Sequence, residues 1–141
     1  MLRGAVEEAA QSALGGSEGI TFNNRIAPDL CADADREQVF RIVLNLVRNA
    51  AQALPDAGGT ITASATRNDG RIEIDISDSG CGVSDSVRAT LFQPFASARA
   101  GGSGLGLAIA RELAHGHGGE LNLLETGPQG SVFRIILLDR D

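Results

Sequence analysis

Residues 35–54 read Asp35-Arg36-Glu37-Gln38-Val39-Phe40-Arg41-Ile42-Val43-Leu44-Asn45-Leu46-Val47-Arg48-Asn49-Ala50-Ala51-Gln52-Ala53-Leu54, and the fold turns on this stretch. On a helix of 3.6 residues per turn, Val39, Ile42, Val43, Leu46, Ala50 and Ala53 fall on one stripe, which is expected to face a sheet. Asp35 stands where its side chain can cap the first turn while Gln38 reaches back, and Pro55 stops the helix after Leu54. Asn45, Asn49 and Gln52 lie along one flank of the stripe, because positions three and four apart are neighbours on a helix. Such amides are read two ways: as solvent-facing residues, or as polar groups at the edge of a core that need partners.

Outward from this helix, residues 2–14 carry Leu2, Val6, Ala9, Ala10, Ala13 and Leu14 at helical spacing, and Gly15-Gly16-Ser17 ends the run. Ile20 to Ala27 is expected to be extended until Pro28 breaks it. Thr60 to Thr66 alternates around Ile61, Ala63 and Ala65, and Asn68-Asp69-Gly70 turns the chain into Arg71 to Ser77, where Ile72, Ile74 and Ile76 alternate. Asp78 to Gly82 is a turn, Ser84 to Leu91 a short helix, and Gln93 to Ser103 a loop too rich in Ala, Ser and Gly to pack firmly. A helix from about Leu105 to Ala114 follows, then strands near Glu120 to Glu125 and Val132 to Leu138 around Gly127-Pro128-Gln129-Gly130. Five strands and three main helices predict a two-layer α/β sandwich, and 141 residues suit one domain, 1–141.

Composition narrows the chemistry. A formal charge of −6 disfavours nucleic acid as a partner, since phosphate backbones are bound through clustered cations. No apolar run approaches the roughly 20 residues that cross a bilayer. The start of the chain lacks the pattern of a secretory signal, so a cytoplasmic domain without membrane contact is expected. Cys31 and Cys81 form no C-x-x-C pair, so neither a zinc site nor a redox pair is suggested, and both read as buried or semi-buried thiols. All 12 basic residues are arginine. The absence of lysine removes both the P-loop nucleotide site and the lysine-dependent protein kinase site.

Three elements carry chemistry. Asn49 can offer its carbonyl oxygen to Mg²⁺, a hard ion that takes oxygen ligands and bridges phosphates. Asp78-Ser79-Gly80-Cys81-Gly82 follows a strand directly. A carboxylate there can accept a hydrogen bond from an exocyclic amine such as that of adenine, with Gly80 and Gly82 letting the backbone approach, although the same pattern also makes ordinary surface turns. Gly101-Gly102-Ser103-Gly104-Leu105-Gly106-Leu107-Ala108-Ile109 leads glycines straight into a helix, whose N-terminus suits phosphate. The spacing is not the Rossmann fingerprint, because the third glycine comes one residue early and after a long loop.

In order and spacing, Asn45-Leu46-Val47-Arg48-Asn49-Ala50, Asp78-Ser79-Gly80-Cys81-Gly82, Leu91-Phe92-Gln93-Pro94-Phe95 and Gly102-Ser103-Gly104-Leu105-Gly106-Leu107 resemble the N box, first glycine box, F box and second glycine box of the ATP-binding catalytic domain of bacterial sensor histidine kinases. The resemblance covers about residues 1–138, including His117-Gly118-Gly119 and the closing Gly130-Ser131-Val132-Phe133. It implies the Bergerat-type α+β fold shared with gyrase, Hsp90 and mismatch-repair ATPases, a mixed five-stranded sheet covered on one face by about three helices. It implies a Mg-ATP site of Asn45, Asn49, Asp78, Gly80, Gly82, Val83, Phe95, Arg99, Gly102, Ser103, Gly104, Leu105 and Gly106. Asn49 would hold Mg²⁺, Asp78 the adenine amine, and residues 93–103 would form a lid anchored by Phe92 and Phe95, with Arg99 as its cation. Asn45 is the implied catalytic position. The implied partners are a histidine-bearing dimerisation domain of the same kinase and, downstream, a response regulator. The isolated domain would be a monomeric, cytoplasmic fragment, whether the parent is soluble or membrane-anchored.

The chain departs from the family pattern at Gln52, where many members carry a cation, and its lid is short, as in the nitrogen-sensing type of kinase. His115 and His117 sit in a helix-to-strand turn with no acidic neighbour of the family's acceptor kind, so both are read as structural. A stand-alone anti-sigma-factor serine kinase of the same fold would carry glutamate where Asn45 stands. A degenerate docking scaffold is disfavoured by the intact glycines and Asn49.

Overall fold

α2 (Arg36–Ala53) occupies the middle of a helical layer, with α1 (Leu2–Leu14) packed on one side, α3 (Gly106–Gly116) on the other, and the sheet beneath. The structure is a computed structural model and describes residues 2–15, 19–30, 36–54, 58–68, 70–80, 106–116 and 118–138. Val39, Ile42, Val43, Leu46 and Ala50 are buried, as the stripe predicts. Val47 is buried as well, because a helix flanked on both sides hides a wider arc than one resting on a sheet alone. Full burial of each large apolar side chain contributes roughly 1.5–3 kcal/mol.

The sheet consists of β1 (Ile20–Asn24), β2 (Gly59–Asn68), β3 (Arg71–Asp78), β4 (Glu120–Gly127) and β5 (Gly130–Leu138), in the order β1-β2-β3-β5-β4. β1 runs parallel to β2 and every other neighbouring pair is antiparallel, giving the expected mixed five-stranded sheet in a two-layer α+β sandwich. In β3, Ile72, Ile74 and Ile76 face the helices, opposite Leu137, Ile135 and Phe133 of β5. The period of two carries this buried row on to Asp78, opposite Ser131. On the other face Arg134 stands opposite Asp75 and donates to both carboxylate oxygens, from Nε at 2.8 Å and from Nη2 at 3.0 Å. That hydrogen bond raises the guanidinium pKa above its ordinary value.

Local chemistry sets the ends of the elements. The β2–β3 hairpin pairs Asn68 with Arg71 at its closed end, with Gly70 at φ +78°. β1 is shorter than the extended run expected to Ala27. The Asn24 Oδ1 accepts from the Ile26 N–H at 3.2 Å and bends the chain, burying Ile26. α3 runs to Gly116 and ends in a Schellman motif. There the Gly118 N–H donates to the His115 carbonyl at 3.0 Å and the Gly119 N–H to that of Ala114 at 2.9 Å, with Gly118 at φ +72°. β4 slips register between Leu123 and Glu125, leaving Leu124 exposed.

Candidate functional site

Asp78 ends β3 on the helix side of the sheet and is only 8% exposed. Its Oδ1 accepts from the Gly80 N–H at 2.8 Å, which fixes the carboxylate within its own turn. Thr60 and Ser79 tie that turn to the start of β2: the Ser79 N–H donates to the Thr60 carbonyl at 3.1 Å, and the Thr60 N–H donates to the Ser79 Oγ at 2.9 Å. Two glycines allow the close approach. A Cβ on Gly130 would lie 2.0 Å from the Asp78 carbonyl oxygen, and one on Gly59 would lie 2.7 Å from the Ser79 Oγ and 2.7 Å from the Leu54 Cδ2.

The second contact sets the layout. Leu54, just past the end of α2, meets the Asp78 end of the sheet. At 1.5 Å per residue, Asn49 stands about 7 Å back along the helix and Asn45 about 13 Å. Asn49 is half-buried within α2, and its side chain makes no hydrogen bond to another described side chain; Gln52 is exposed. The Asn45 Nδ2 donates to the Arg41 carbonyl one turn back at 2.9 Å, leaving Oδ1 turned towards α3. A Cβ on Gly106 would sit 3.6 Å from that oxygen, so the first turn of α3 begins against Asn45. A helix start offers backbone N–H groups and the positive end of a dipole. A carboxylate thus stands at one end, two amides lie along α2 and a helix N-terminus stands at the other end, groups whose chemistry suits an amine and anions respectively.

The Asp78 end opens on a cavity of about 760 Å³ lined by Asp78, Thr126, Ser131 and the β4–β5 turn. Ser131 is 5% exposed, and its hydroxyl shares a 2.9 Å hydrogen bond with the Thr126 Oγ1. The sequence reading placed Ser131 only in a closing strand. Register is the signal that finds it, because pairing Phe133 with Ile76 sets Ser131 across from Asp78. Gly82, Val83, Phe92, Phe95, Arg99, Gly102, Ser103, Gly104 and Leu105 lie outside the described residues, together with the expected short helix and lid. So do Cys31, Cys81 and His117. His115 is exposed in the last turn of α3. Among the described residues no group of three or more His, Cys, Asp or Glu side chains comes together, and no helix is long and apolar enough to cross a membrane.

Residues 34–141 match the family described as histidine kinase-, DNA gyrase B- and HSP90-like ATPase. The chain is 32% identical over 147 aligned positions to the sensory histidine kinase/phosphatase NtrB of Azospirillum brasilense, covering 94% of this chain and 36% of that protein. It therefore spans about a third of the length of that curated relative. Among solved structures, a mycobacterial sensor histidine kinase, MprB, superposes with a TM-score of 0.80 at 29% identity, over 97% of this chain and 95% of that one. Full-length ShkA in complex with AMPPNP superposes with a TM-score of 0.82 at 28% identity, over 97% of this chain and 30% of that one. The chain belongs to the histidine kinase-, gyrase B- and HSP90-like ATPase family, as an ATP-binding catalytic domain of the sensor histidine kinase type.

Proposed function

We propose that this chain binds Mg-ATP along a track from Asp78 to the start of α3 and presents the γ-phosphate to a histidine on a separate helical dimerisation domain of a longer kinase. An aspartate of a response regulator then takes the phosphoryl group in two-component signalling. Residues 1–141 form one catalytic and ATP-binding domain in this reading, cytoplasmic, monomeric by itself, and without contact to nucleic acid or membrane. Its protein-histidine kinase activity requires the acceptor domain.

The observation that carries this reading is the buried Asp78 carboxylate at the mouth of a cavity, held by its own Gly80 N–H. A buried charged acceptor discriminates sharply for a ligand amine, because a hydrogen bond to a charged acceptor is stronger than one to a neutral group. At the other end, phosphates suit the N-terminus of α3 by the same electrostatics that bind anions at helix starts. The donor set fits Mg²⁺: Asn49 is half-buried on the flank between the two ends and supplies a hard amide oxygen. When bound, the ion screens the charge of the phosphates. Asn45 lines the γ-phosphate end with its carbonyl oxygen, a group that can orient a nucleophile without taking its proton. Gly82, Val83, Phe95, Arg99 and Gly102 to Leu105 complete the site as lid and phosphate contacts in this reading, with Gly106 opening α3.

Incubation with γ-labelled Mg-ATP tests the transfer. The chain alone is expected to hold no acid-labile phosphate on His115 or His117, and addition of the parent kinase's dimerisation domain is expected to yield labelled histidine on that domain. Stoichiometric label on either histidine of this chain refutes the division of labour.

A further inference from the structure

One row of the sheet crosses the cavity floor and contains a residue that neither the nucleotide site nor the core uses. Ile61, Asp78, Ser131 and Thr126 pair in sequence across β2, β3, β5 and β4. Asp78, Ser131 and Thr126 all line the cavity. The Ser131 Oγ and the Thr126 Oγ1 are 2.9 Å apart, so their side chains share a face of the sheet.

A serine hydroxyl has one proton and two lone pairs and rotates freely unless a partner fixes it. The hydrogen bond to Thr126 is the one described for the Ser131 side chain, and Ser131 is 5% exposed, so bulk water does little to orient it. When the Thr126 hydroxyl donates, the Ser131 proton is left for a partner in the cavity, one strand over from Asp78. The floor then offers an acceptor and, one strand over, a donor. Adenine presents an amine next to a ring nitrogen that accepts, and matches that pair. Guanine presents a carbonyl next to an N–H, and opposes it at both places.

We propose that Thr126 is a positioning residue for nucleotide selection, setting the direction of the Ser131 hydroxyl through their shared hydrogen bond without touching the base itself. The inference rests on the reading of Asp78 as the group that recognises adenine. Thr126 lies on β4 next to the β4–β5 turn, and the Gly127–Gly130 pair holds it in register with Ser131.

The test compares Thr126→Val, which keeps the shape and loses the hydroxyl, with Thr126→Ser, which keeps the hydroxyl and loses the methyl. Affinities for Mg-ATP and Mg-GTP are measured by calorimetry on the whole chain, with melting temperatures recorded alongside. Thr126→Val is expected to lower ATP affinity about fivefold, the worth of one net hydrogen bond, and to narrow the ATP-to-GTP ratio, while Thr126→Ser binds within about twofold of wild type. Wild-type affinity and ratio in Thr126→Val overturn the proposal. Equal loss in both variants also overturns it, since the methyl and not the hydroxyl would then matter. Asp78→Asn in the same series separates the two failures. If that variant loses ATP and Thr126→Val does not, only the role of Thr126 falls; if wild type fails to bind ATP or Asp78→Asn has no effect, the reading beneath it falls as well.

Discussion

Replacing Gly130 with alanine is expected to damage the site through backbone geometry, at the place where β5 approaches Asp78. Gly130 has φ +141°, a conformation that side-chain-bearing residues rarely adopt, and holding one there costs about 1–3 kcal/mol. The added Cβ would fall 2.0 Å from the Asp78 carbonyl oxygen, where ordinary contact begins at 3.4 Å. Backbone must therefore move by more than about 1 Å, which loosens the pairing of Asp78 with Ser131 and forfeits about 1 kcal/mol for a lost hydrogen bond. The total is about 2–4 kcal/mol, or a fall of about 10 °C in melting temperature for a domain of this size. Thermal unfolding followed by circular dichroism reads it, with Gly106→Ala as the contrast. At Gly106 the new Cβ would sit 3.6 Å from the Asn45 Oδ1, an ordinary contact, so that variant is expected to melt at or above the wild-type temperature. If Gly130→Ala melts within about 2 °C of wild type, the claim that this glycine is required for the approach of β5 to Asp78 is wrong.

Two further outcomes follow from which groups face the ligand and which do not. Because Asn45 is a neutral amide bonded back to Arg41, uncoupled ATP hydrolysis by the chain is expected to be slow, and Asn45→Glu is expected to raise it by up to the 10²–10⁴-fold, roughly, of a placed general base. Affinity is checked beside rate, and several turnovers per second in the wild type would refute the role of Asn45. Arg134→Met on the opposite face of the sheet removes the pairs with Asp75 and Glu73 and is expected to cost no more than about 1 kcal/mol, with ATP affinity unchanged; a loss of binding would show that the outer face is coupled to the site.

Much of this architecture is legible in the chain because burial and periodicity coincide. The stripe through Val39, Ile42, Val43, Leu46 and Ala50 faces inward as its spacing predicts, and Ile72, Ile74 and Ile76 continue to Asp78 on the same face. Val47 was not legible, because nothing in a helix's own period shows that helices flank it on both sides. The early end of β1 was hidden for a local reason: Asn24 competes with the sheet through its side chain, and an extended reading to Ala27 ignores that bond. Ser131 escaped because its place depends on the pairing of β3 with β5, strands whose registered residues lie more than fifty positions apart in the chain. Asn45 and Asn49 were legible as a flank, but not the contact of Gly106 with Asn45, which arises only when α3 packs on α2.

The central claim is that the Asp78 carboxylate selects ATP. Calorimetric titration of wild type and Asp78→Asn with Mg-ATP and with Mg-GTP measures it most directly. Wild type is expected to bind ATP in preference to GTP. Asp78→Asn is expected to lose about tenfold or more in ATP affinity, the worth of a hydrogen bond to a buried charge, and to shift towards GTP because an amide can donate to a carbonyl. Unchanged ATP affinity together with an unchanged ATP-to-GTP ratio would contradict the account.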